Sequence, residues 1–99
     1  MKLTIVTKES LINVMRRAGY RADHRDASTG QDSFVRRLRG AEYPRFHVYG
    51  SKHGDELLLN LHLDQKKPSY TGSHAHSGEY DGDLVEGEAE RIQKLIQQL

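Results

Sequence analysis

Hydrophobic and polar positions alternate most regularly between Arg45 and Asp64, in the stretch RFHVYGSKHGDELLLNLHLD. Leu57, Leu59, Leu61 and Leu63 fall on one side of an extended chain, and Leu58, Asn60, His62 and Asp64 on the other. That is the pattern of a strand with one buried and one wetter face. The run before it, from Arg45, predicts a partner strand and hence a β-hairpin. His53-Gly54 stands between the two runs, and glycine supplies the positive φ that a two-residue turn needs. Pairing Lys52 with Asp55 then puts Val48 opposite Leu59, Phe46 opposite Leu61, Arg45 opposite His62 and His47 opposite Asn60. Both apolar pairs share one face. A longer Gly50–Glu56 loop with a shifted register is the alternative. In either case the second face collects Arg45, His47, Tyr49, Asn60, His62 and Asp64, a dense set of hydrogen-bonding groups.

The rest of the chain predicts elements around this hairpin. Lys2–Val6 reads as a first strand or as the lead-in to a helix. Thr7 is expected to cap that helix, in which Leu11, Val14, Met15 and Ala18 keep the three-and-four spacing of one buried stripe. Arg16 and Arg17 come late in it, where positive charge suits the dipole, and Gly19 can end it in a left-handed conformation. Tyr20–Ser33 reads as a polar connection with a short strand at Tyr20–His24 and a turn at its centre. Ser33–Arg39 is expected to be an edge strand, with Phe34, Arg36 and Leu38 on one face and Val35, Arg37 and Arg39 on the other. Pro44 suits the start of the hairpin. Gln65–Gly82 is a long, polar, glycine-rich connection of the kind that often forms a binding loop. Asp83 and Glu86 have capping-box spacing, and Val85, Ala89, Ile92, Ile96 and Leu99 form the stripe of a final helix. The expected fold is α+β: a small antiparallel sheet of three to four strands, with an N-terminal and a C-terminal helix packed on one face. Residues 1–99 form a single domain without internal repeats.

Composition narrows the chemistry. The chain has no cysteine, which excludes a disulfide framework and a thiolate metal site and suits a reducing cytoplasm. No apolar run resembles a secretory signal or a bilayer span, so no membrane partner is expected. The formal net charge is +1, but it is unevenly spread. Residues 1–52 hold 11 Lys/Arg against 5 Asp/Glu, and residues 53–99 hold 4 against 9. The basic half can meet phosphate or offset the acidic half.

Three constellations could carry chemistry. His62 and Asp64, with His74 and His76, offer imidazole and carboxylate donors suited to zinc or a related divalent ion. On the hairpin face, His47 and His62 could act as acid and base on a phosphodiester, with Arg45 stabilising the phosphate and Lys66, Lys67 and Tyr70 holding the backbone near the strand exit. Without chemistry, Arg36, Arg37, Arg39 and Arg45 could cluster on neighbouring strands, with Tyr43 and Tyr49 stacking on bases. No P-loop, dinucleotide-binding or RNA-recognition signature is present, and no serine or cysteine nucleophile motif.

The stretches YPRFHVY, NLHLDQKKPSY and HAHSGEYDG, running into VEGEAERI, resemble short uncharacterised bacterial proteins over Tyr43 to Ile92, about half the chain. The resemblance implies a small stand-alone domain and carries over no functional residues. The sequence therefore favours a small intracellular protein that binds nucleic acid or another phosphate-bearing ligand through Arg45, His47, Tyr49, His62, Lys66, Lys67 and Tyr70. The alternative is a divalent-metal-binding protein, a hydrolase or small ribonuclease, with its metal at His62, Asp64, His74 and His76.

Overall fold

The computed structural model describes residues 1–26, 30–65, 78–79 and 82–97. The elements are β1 (Lys2–Val6), α1 (Leu11–Arg17), β2 (Arg21–Asp26), β3 (Gln31–Arg37), β4 (Arg45–His53), β5 (Glu56–Asp64), β6 (Gly78–Glu79) and α2 (Asp83–Gln97). The sheet is antiparallel, in the order β1-β5-β4-β3-β2, and the two-residue β6 pairs with the end of β5. The class is α+β as expected, but the sheet is wider than three to four strands. The N-terminal helix also does not open the chain: it follows β1 and links one edge of the sheet to the other.

Lys2–Val6 is a strand because Leu3 and Ile5 alternate inward and pair directly with Leu59 and Leu57. Helix α1 begins later than Thr7. Ser10 is its cap, accepting from the Asn13 amide at 3.2 Å, while the Thr7 hydroxyl accepts from the Glu9 amide in the preceding turn. At the other end the Gly19 amide donates to the Arg16 carbonyl and the Tyr20 amide to that of Met15. With φ +89° at Gly19, this is the left-handed ending that the sequence suggested, closed as a Schellman motif. Helix α2 opens at Asp83 as expected, but Asp83 is not its cap. The Gly82 carbonyl accepts from the Glu86 amide, so Gly82 takes the cap position and Asp83 lies in the first turn.

The hairpin faces are as predicted but the register is not. His53 pairs with Glu56, and the two-residue turn is Gly54-Asp55 rather than His53-Gly54. Gly54 has φ +61° and no non-glycine residue among those described has a positive φ. Glycine therefore fills the first central position, as a type II′ turn requires. The slip is two residues, so every side chain keeps its face and changes its partner: Val48 meets Leu61, Phe46 meets Leu63, His47 meets His62 and Arg45 meets Asp64.

The core lies between one sheet face and both helices. Leu3, Ile5, Phe34, Phe46, Val48 and the four odd-numbered leucines of β5 pack with Leu11, Val14 and Met15 of α1 and Val85, Ala89 and Ile92 of α2. Gly50 permits this closeness, because a Cβ there would meet Leu11 and Leu59 side chains at 3.0 Å. A buried carboxylate sits in this layer. Glu88 of α2 is 4 % exposed; it accepts from the Tyr20 hydroxyl and from Arg91, and Arg91 also donates to the Ala18 carbonyl. This network fastens the end of α1 to α2.

Candidate metal centre on the outer sheet face

The opposite face of the sheet reads in rows across the strands. One row runs Ser33, Tyr49, Asn60 and Lys2; the next Val35, His47 and His62; the next Arg37, Arg45 and Asp64. Alternation places these side chains on one side, and the true register decides which of them meet. The face is less wet than the alternation implied: Ser33 is 2 % exposed, His47 8 % and His62 7 %.

Asp64 is the hub. Its Oδ1 lies 3.0 Å from His62 Nε2, and its Oδ2 lies 3.3 Å from His47 Nδ1 and 3.4 Å from Arg45 Nε. Burial on its own would raise this carboxyl's pKa. The hydrogen bonds and positive charge offered by His47 and His62 outweigh it and hold the pKa well below the usual carboxylate range. The rings of His47 and His62 are 4.8 Å apart, and Tyr49 borders both, at 4.5 Å from His47 and 5.8 Å from His62.

His47 is held from its far side as well. Its Nε2 lies 3.0 Å from Ser33 Oγ, which donates to Asp23 Oδ2 at 3.4 Å. Asp23 reaches Ser33 because the β2–β3 register shifts between Ala22 and His24, and such a bulge re-aims the extra side chain. A serine hydroxyl has one proton. With that proton on the bond to Asp23, His47 Nε2–H donates to Ser33 and the Nδ1 lone pair faces Asp64; with it on His47, Nδ1–H donates to Asp64. In the first arrangement two acceptors stand 3.3 Å apart and a cation between them relieves the repulsion. A proton there makes an imidazolium; a divalent ion there makes a metal site.

Ser33, His47 and Asp64 also have the connectivity of a nucleophile triad. The serine, however, is sealed from solvent and sits inside a paired strand. Its place suits orientation of the imidazole rather than attack.

The donor set is therefore His47, His62 and Asp64, with one ligand atom from each and all within 4.8 Å of one another. Ligands about 2.1 Å from a metal stand about 3.0–3.4 Å apart, so a spread of up to 4.8 Å closes by about 1.5 Å for one ion to be held by all three. The sequence named His62 and Asp64 for a metal but placed His47 only among the phosphate-binding residues, because the expected register put it opposite Asn60 rather than His62. It missed Ser33 and Asp23 altogether, since nothing in the sequence marks the bulge. His74 and His76, like Lys66, Lys67 and Tyr70, lie outside the described residues.

The expected arginine cluster is divided. Arg36 is on the helix face, over the Phe46 ring and 3.7 Å from Glu88. Arg45 is on the outer face with Asp64, over the Tyr43 ring. Arg37 and Arg39 are exposed. No helix among the described residues is long and apolar enough to cross a membrane. Compared with protein-family models, curated proteins and solved structures, the chain matches none.

Proposed function

We propose that this protein binds a divalent metal ion on the outer face of its sheet through His47, His62 and Asp64. The observation that supports this reading is the facing pair His47 Nδ1 and Asp64 Oδ2, 3.3 Å apart, with the opposite imidazole nitrogen already engaged by Ser33. Metal-bound histidines are commonly fixed in this way from behind. Two imidazoles and one carboxylate suit zinc, iron, cobalt or nickel rather than magnesium or calcium. Three protein ligands leave coordination positions open, as in sites that activate water or take a substrate oxygen. A nucleic-acid ligand has less support, because Arg36 and Arg45 are both engaged in ion pairs.

The test is metal content after exhaustive dialysis, together with calorimetric titration of the chelator-stripped protein with zinc, cobalt and nickel. One ion per chain is expected in the wild type, and little in His47→Ala or Asp64→Asn. Equal uptake by the wild type and both variants would overturn the reading.

A further inference from the structure

Beside the His47–His62 row the outer face opens into a groove of about 640 Å³, lined on that face by Lys2, Thr4, Gln31, Tyr49, Ser51 and Asn60. Tyr49 belongs to both places: it lines the groove and its ring lies against both histidines. Lys2, Asn60 and Tyr49 form the sheet row next to His62 and His47. Same-face rows are about 7 Å apart along a strand, and the donor nitrogens face Asp64, across the His47–His62 row from Tyr49, so a molecule bound at the metal reaches the groove across about 10 Å.

The chemistry of the groove is one-sided. It offers amides, hydroxyls, a phenol, the His53 imidazole and the Lys2 and Lys52 ammonium groups, with the exposed Leu58 as an apolar patch, and among the described residues no carboxylate lines it. At the metal end, a divalent ion beside one carboxylate and the Arg45 guanidinium leaves the site net positive, since neutral imidazoles add no charge. An anionic oxygen is the donor that both completes the coordination and offsets this charge.

We infer that the groove and the metal together form a site for a small organic anion. Its carboxylate or phosphate oxygen occupies an open metal position near Arg45, and its body lies along Tyr49 and Asn60 toward Lys2. This inference rests on the metal reading. It adds the class of ligand and the residues that select it.

The test uses the cobalt-loaded protein, whose visible absorption reports the metal's ligands. Benzoate and phenyl phosphate are titrated against acetate and inorganic phosphate. Saturable band changes are expected, with the ring-bearing anions binding about tenfold or more tightly than their small counterparts. The tighter of the two families identifies the anionic group. Asn60→Asp and Lys2→Gln should each weaken the ring-bearing anion about fivefold by charge alone, with cobalt uptake unchanged. Cobalt uptake with no band change for any anion would overturn the anion site and leave the metal reading standing. Equal affinity for large and small anions would remove the groove from the site. Absence of cobalt uptake would sink both.

Discussion

The Tyr20 hydroxyl donates to Glu88 Oε2 across 2.6 Å, joining residues 68 positions apart. Burial, and next the neighbouring Glu88 carboxylate, push the Tyr20 phenol well above its ordinary value. The folded state therefore keeps a proton that the unfolded chain releases above pH about 10. The stabilisation is intact below that value and is lost as pH rises beyond it. Urea unfolding between pH 7 and 11 should show stability falling from about pH 10. Tyr20→Phe should flatten this fall and cost about 1–3 kcal/mol at neutral pH, where it removes a hydrogen bond to a buried charge. An unchanged alkaline slope in the variant would show that Tyr20 is not its source.

Metal binding should stabilise the fold. At a free concentration about 100 times Kd, a ligand specific for the native state adds about 2.7 kcal/mol. For a domain of this size that raises Tm by about 10–20 °C. Calorimetric melting of stripped protein with and without zinc checks this, and His62→Ala should abolish the increment. A zinc-induced rise that survives in His62→Ala would place the ion elsewhere.

Ser33 touches no open ligand position and acts through His47. Ser33→Ala should weaken metal binding about 10–100-fold without changing its stoichiometry. Ser33→Thr, which keeps the hydroxyl, should recover most of that loss. Recovery of melting temperature without recovery of affinity would mark Ser33 as merely structural.

Gly50 leaves no room for a side chain beneath Leu11. Gly50→Ala should destabilise by about 1–3 kcal/mol through overpacking, read as a lower urea midpoint at unchanged slope. Gly50→Ala combined with Leu11→Val, which vacates space, should recover part of the loss.

Much of this architecture was legible because burial imposes a period. The leucines of β5, the stripes of both helices and the left-handed end at Gly19 all follow from spacing. Register was not legible, because alternation specifies a face and is indifferent to a slip of two. Only the choice of Gly54 as first rather than second turn residue decides that slip, and it is what brings His47 to His62. Strand β2, RADHRD, was legible only as a short strand at Tyr20–His24, because it carries no apolar stripe and its pairing through the backbone left little trace in its side chains. The bulge that turns Asp23 toward Ser33 and the buried Glu88 were hidden for the same reason. Each is a polar residue whose partners come from distant parts of the chain.

Strand β1 has a consequence for synthesis. It pairs with β5, Leu3 against Leu59, so it emerges from the ribosome well before its partner exists. Strands β2, β3 and β4 can form their meander as they appear, but Leu3 and Ile5 have no sheet to join until β5 has been translated. During that interval the nascent chain displays a short apolar strand that chaperones can grasp. Closing that edge of the sheet therefore waits on a segment made about fifty residues after β1.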